Sequence, residues 1–136
     1  MSAKPMRIYM DTSALVKLIV AEDESQPLRS FLRERAEDSL FSAALARTEL
    51  LRAVAPNGAQ ALADARNLLS GLDAVVLTRQ VLDDAGTLQP LRLRSLDAIH
   101  LVAAQRAGDT LREVVTYDAR MLSAAADLGI VTASPS

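Results

Sequence analysis

Four acidic residues, Asp11, Glu49, Asp97 and Asp118, stand where a strand-like run gives way to a helix, or inside a helix just beyond that point. In a parallel α/β sheet the strand-to-helix junctions share one edge, so acids distant in sequence can meet there. Gathered carboxylates repel one another unless something positive joins them, and a hard divalent cation is the usual answer. Singly, each acid has a plainer reading. Asp11 and Asp118 precede helices, where Asp is a favoured N-cap. Asp97 lies in a first helical turn, where it complements the dipole, and Glu49 in mid-helix can face water. As an ordered set on four segments reachable from one edge, they match a Mg²⁺ site, which takes one or two carboxylates per ion and keeps several waters.

The elements that must position these acids follow from periodicity and caps. Arg7–Met10 reads as a short buried strand. Thr12 to Val20 follows with Leu15, Leu18 and Ile19 at helical spacing. Pro27 suits the first turn of a helix to about Ala36, with Leu28, Phe31 and Leu32 on its apolar face, turned to the sheet or to a partner subunit. Ser39 to Ser42 is a candidate second strand, and Ser42 then caps a helix from Ala43 to Val54 that Pro56-Asn57-Gly58 stops. A helix spans Ala59 to Leu69, and Ala74–Leu77 is a third strand. Thr78 caps a short helix to Ala85. Pro90 to Arg94 is loop, and Ser95 caps a helix from Leu96 to Ala107, closed by Gly108. Val114–Thr116 is the fourth strand, Ala119 to Leu128 a helix ended by Gly129, and Ile130–Thr132 a short last strand. Alternating strands and helices without hairpin signals predict one α/β domain over 1–136, with a core of about 7–132. Its central parallel sheet has four to five strands with helices on both faces, and residues 133–136 form a short disordered tail.

Composition narrows the chemistry. A chain of 136 residues fits one domain that buries a substantial core without staples. With two Tyr, two Phe and no Trp, that core is aliphatic. The absence of Cys excludes disulfides, thiolate metal sites and thiol nucleophiles. No apolar run approaches the roughly 18 residues of a membrane span and no signal-like segment opens the chain, so the expectation is a cytoplasmic protein without membrane contact. The net charge of −2 is not that of a protein coating nucleic acid through bulk charge. The bases are 13 Arg and 2 Lys, however, so a local Arg patch against phosphate remains open.

The residues around the acids carry a resemblance. Ile8-Tyr9-Met10-Asp11-Thr12-Ser13-Ala14-Leu15 resembles the opening of a PIN domain, and Ala46-Arg47-Thr48-Glu49-Leu50 its helix-borne glutamate. Leu96-Asp97-Ala98-Ile99-His100-Leu101-Val102-Ala103-Ala104 is similar to the third acidic motif, and Val115-Thr116-Tyr117-Asp118 to the fourth. The motif order and the chain length resemble VapC toxins of toxin–antitoxin pairs, and the resemblance runs from Arg7 to Thr132. It implies that Asp11, Glu49, Asp97 and Asp118 are the catalytic, metal-binding quartet of a Mg²⁺- or Mn²⁺-dependent endoribonuclease. Ser13 and Thr116 would support the acids or a water. It also implies an RNA substrate, a cognate VapB-like antitoxin and a homodimer. Arg47, Arg92 and Arg94 are the candidates by position for holding RNA. The alternatives are a PIN nuclease of RNA processing that is no toxin, and a metal-binding α/β module without catalysis. Where some PIN nucleases carry a further acid, this chain has His100, on the same helix face as Asp97, which puts a permanently bound second metal in doubt.

A phosphodiester is anionic, so attack on it requires that its charge be neutralised. A Mg²⁺ held by Asp11 and Asp97 would do so and would orient a water in line, with Glu49 or Asp118 completing the shell or taking a proton. The expected products carry 5′-phosphate and 3′-hydroxyl ends. Rival folds fit less well. A phosphoacceptor receiver domain needs a late Lys, and none follows Lys17. A haloacid-dehalogenase phosphatase wants Asp at position 13, which is Ser, and an adhesion-type metal module wants Ser at position 15, which is Leu.

Overall fold

A computed structural model of the chain describes residues 5–136. Its centre is β1 (Arg7–Met10), whose side chains alternate between two cores: Ile8 and Met10 enter one, Tyr9 the other, and all three are fully buried. A strand covered on both faces must be apolar at successive positions, and this one is. β2 (Ser39–Ala43) and β4 (Leu111–Val115) flank it, both parallel to it. β3 (Asp73–Val75) and β5 (Thr132–Ala133) take the edges, giving the order β3-β2-β1-β4-β5 and five parallel strands. The chain winds outward from β1 through β2 to β3, then returns to the other side for β4 and β5. The order therefore reverses between β1 and β4, and a parallel sheet opens a crevice at the C-terminal strand ends there.

Helices α1 (Thr12–Lys17), α2 (Ser25–Arg33), α3 (Leu45–Val54) and α4 (Ala59–Ser70) build the first core, where Leu15, Leu28, Leu50, Val54 and Leu69 pack with Ile8, Met10 and Val115. On the opposite face follow α5 (Arg79–Gly86), α6 (Ser95–Gln105) and α7 (Ala119–Asp127). Ala103 and Ala104 of α6 lie against Tyr9, Phe41 and Val114, and Leu101 meets Met121, Ala124 and Ala125 of α7. Each large buried side chain contributes about 1.5–3 kcal/mol.

Several boundaries differ from the sequence expectation, each for a local reason. α1 stops at Lys17 rather than Val20, because Ile19 and Val20 fold back in a turn on the Val16 carbonyl and pack on the core. α2 runs from Ser25 to Arg33 rather than to Ala36. Beyond it Arg35 reaches the buried Glu113 of β4 at 3.0 Å. Leu28, Phe31 and Leu32 of α2 turn onto the protein's own core. Ser42 caps nothing: it is a strand residue whose hydroxyl donates to the Met10 carbonyl at 2.7 Å, and α3 begins at Leu45. Ser95 is the first helical residue of α6, with Arg94 in the N-cap position. β3 ends at Val75 because the chain turns at once, with the Thr78 amide bonded to the Val76 carbonyl. Thr78 does cap α5, accepting from the Val81 amide at 3.2 Å. Residues 133–136, expected as a disordered tail, are held: Ala133 belongs to β5, Ser134 donates to the Thr116 carbonyl, and the Tyr117 hydroxyl donates to that of Pro135.

Candidate active site

Asp11 follows the last residue of β1, and its amide extends the ladder to the Val115 carbonyl of β4 at 3.0 Å. That bond fixes the residue at the reversal point. The Asp11 carboxylate is nearly buried, and its Oδ2 accepts from Ser13 Oγ and Thr116 Oγ1, both at 2.8 Å. Ser13 also accepts from the Tyr117 amide, and Thr116 from the Asp118 amide. These two hydroxyls thus join β1, α1 and the β4–α7 turn around one carboxylate.

Asp118 is a true N-cap: its Oδ1 accepts from the amides of Arg120 and Met121 at 2.8 and 3.3 Å. The structural reading of this residue is therefore correct, yet only one of its oxygens is committed. Glu49, in the second turn of α3, repeats the pattern. Its Oε1 accepts from Thr12 Oγ1 at 2.7 Å and pairs with His100 Nε2 at 2.6 Å. Among the described residues, no hydrogen bond reaches Asp11 Oδ1, Asp118 Oδ2 or Glu49 Oε2, and none reaches either carboxylate oxygen of Asp97. Among the described residues, three carboxylates thus each anchor one oxygen on the protein and have no hydrogen bond to the other.

The fields of these groups overlap. Burial, and then the charges of Asp118 and Asp11, push the carboxyl of Asp97 above the usual Asp range. Asp97 thus lies within the fields of two aspartates from other elements. Burial works against the Glu49 charge, but the hydrogen bond and charge of His100 and the Thr12 hydroxyl outweigh it and hold this carboxyl low. Burial likewise opposes a charge on His100, yet its bond to Glu49 and the nearby Asp11 raise it. Its Nε2 lies 3.7 Å from Asp11 Oδ1.

The donor set fits a hard cation: it is all oxygen, its charges repel, and one oxygen each of Asp11, Glu49 and Asp118 is already held. It is not a closed cage. Among the described residues no three acidic or histidine side chains are drawn together at coordinating distance. A small cation that retains water does not need such a cage.

Of the arginines, Arg92 and Arg94 line a groove of about 340 Å³ together with Arg120 and Ser123. Ala119, beside Asp118, also lines it, and the Arg94 charge acts on Asp97, so the groove adjoins the acids. Arg47 is not among its lining residues; its guanidinium donates to the Leu69 carbonyl near the end of α4 at 3.4 Å.

Sequence reasoning missed Thr12, Tyr9 and Arg120. Tyr9 offered a signal, since a phenol in an otherwise aliphatic strand must find a hydrogen-bond partner once buried. Thr12 and Arg120 each follow an acid closely, but only the fold shows where their side chains go. His100 is no ready ligand, because Tyr9 Oη lies 2.5 Å from its Nδ1 and Glu49 holds its Nε2.

Comparison with known proteins gives the family. The family model described as PIN domain matches residues 8–127. The chain is 48% identical over 129 residues to "Ribonuclease VapC46" of Mycobacterium tuberculosis (strain ATCC 25618 / H37Rv), covering 95% of this chain and 98% of that protein. It is 48% identical over 132 residues to "Ribonuclease VapC47" of the CDC 1551 / Oshkosh strain, covering 94% and 96%. To "Ribonuclease VapC35" of the same strain it is 39% identical over 130 residues. With the matched region spanning all four acids, the chain belongs to the PIN-domain family.

Proposed function

We propose that this protein is a Mg²⁺- or Mn²⁺-dependent endoribonuclease of the VapC kind, working in the cytoplasm as the toxin of a toxin–antitoxin pair. The observation that carries the reading is the arrangement of Asp11, Asp97 and Asp118 in one field at the sheet's switch point, beside an arginine-lined groove. The near-full-length similarity to proteins named ribonucleases supports it.

When bound, a divalent cation supplies positive charge against the phosphodiester and the activation of a water for in-line attack. Asp11, Asp97 and Asp118 would hold it, with Glu49 completing the shell or accepting the proton. Ser13 and Thr116 hold Asp11 through one oxygen, so the carboxylate would meet a cation without a reorganisation step. Asp97, whose carboxylate has no hydrogen bond among the described residues, would gain from a cation, since burial and the charges of Asp118 and Asp11 outweigh those of His100 and Arg94. Arg92, Arg94 and Arg120 line the adjoining groove with fixed charges that suit bidentate phosphate contacts and would bring the scissile phosphate toward the acids. An antitoxin that offers a cation to the same acids would block them by charge alone. Homodimerisation belongs to the same reading.

The test is cleavage of RNA by purified protein. Activity should require Mg²⁺ or Mn²⁺, stop with a chelator, vanish in Asp11→Ala, and leave 5′-phosphate and 3′-hydroxyl ends. Cleavage that survives chelation, or that leaves cyclic phosphates, would overturn the mechanism. Toxicity on expression, relieved by the protein encoded beside it, tests the toxin assignment.

A further inference from the structure

The buried pair Tyr9 and His100 takes no part in the mechanism above, and its connections are specific. The amide of Ala43, the last residue of β2, donates to Tyr9 Oη at 3.1 Å. Tyr9 Oη sits 2.5 Å from His100 Nδ1, and His100 Nε2 sits 2.6 Å from Glu49 Oε1. Thr12, next to Asp11, donates to the same oxygen. One unbroken chain of hydrogen bonds thus runs from the sheet backbone through β1 and α6 to the carboxylate of α3. Tyr9 is fully buried and His100 is 2% exposed, whereas the Glu49 side chain, at 25%, is open enough to be solvated by water instead. A partly exposed Glu has several rotamers, and two hydrogen bonds to one oxygen select one of them.

We propose that Tyr9 and His100 are positioning residues: a rigid hydrogen-bond relay that presents the Glu49 carboxylate to the divalent cation without touching the cation itself. The inference rests on the metal-nuclease reading of the acids. Partners that orient metal-binding groups in this way commonly change metal affinity by about 10- to 100-fold when removed.

The experiment is titration of the purified full-length chain with Mn²⁺, free ion followed by electron paramagnetic resonance, with thermal melting alongside. His100→Leu should weaken Mn²⁺ about tenfold. His100→Gln, which restores a donor near the Nε2 position, should recover most of that loss. Tyr9→Phe removes one buried oxygen at nearly constant volume and should weaken Mn²⁺ by about threefold. In a Glu49→Ala background, His100→Leu should have no further effect, because the relay then has no terminus. At saturating Mn²⁺ the KM for RNA should not change in the relay variants.

Unchanged Mn²⁺ affinity in Tyr9→Phe and His100→Leu would overturn the relay, as would a His100→Gln variant as impaired as His100→Leu. If His100→Leu does not fold, the affinity of Tyr9→Phe decides alone. Wild-type protein that binds no Mn²⁺ would sink the relay and the metal-nuclease reading together, whereas wild-type binding with indifferent variants sinks only the relay.

Discussion

Asp97→Asn should make the metal-free protein more stable while removing its response to Mg²⁺. The acid lies half-buried in the first turn of α6, raised in pKa by burial and by the charges of Asp118 and Asp11. Below the ordinary Asp pKa of about 3.9 both folded and unfolded chains hold this proton. As pH rises, the unfolded chain releases it first, so the folded state loses stability through that window, and the full penalty persists above the folded pKa. At neutral pH Asn removes the penalty. Solvent around a half-exposed side chain screens the repulsion, so the gain is on the order of 0.5 kcal/mol. For 136 residues the unfolding entropy is roughly 0.3 kcal/mol/K, so the melting temperature should rise by about 2 °C. Mg²⁺ at ten times its Kd adds about 1.4 kcal/mol to wild type, or about 5 °C, and much less to Asp97→Asn. Calorimetry of both proteins, with chelator at pH 7 and near pH 3.5 and then with Mg²⁺ at pH 7, measures each term. The gain should be present at pH 7 and absent near pH 3.5. A variant less stable than wild type in chelator at pH 7, or equal Mg²⁺ shifts in both proteins, would refute the shared field.

Two other perturbations probe the site's support and its groove. Thr116→Val leaves Asp11 one donor short and the Asp118 amide without its hydroxyl acceptor. Denaturant melts should show a loss of about 1–3 kcal/mol, and Thr116→Ser should retain most of the stability and the cleavage. Arg94→Ala and Arg120→Ala should each raise the KM for RNA several-fold. Each should also reduce the slope of log affinity against log salt by about 0.7 per lost phosphate contact. Arg47→Ala, whose guanidinium serves the Leu69 carbonyl, should leave that slope unchanged.

Much of this protein is legible without coordinates, because the signals are local. Burial on both faces makes β1 an uninterrupted apolar run, and helical spacing and the Thr78 cap mark α1 and α5. The four acids stand out because strand ends are visible in the pattern and each acid lies at or beyond one. Boundaries failed where a tertiary partner outbid local preference. Arg35 leaves the helix for Glu113, and Ser42, a plausible cap, instead bonds across to Met10. The tail, polar and short, gave no hint that it would pin Thr116 and Tyr117.

What the sequence alone determined is the alternation of elements, the aliphatic double-sided core, and the identity and order of the acids. Each depends on neighbours within a few residues or on side-chain chemistry. What only the tertiary structure decided is which oxygen of Asp11, Glu49 and Asp118 is committed, that Arg120 rather than Arg47 lines the groove, and that Tyr9 and His100 reach Glu49. Those contacts join residues up to 105 positions apart in the chain. Strand order sets such distances, and periodicity says nothing about it.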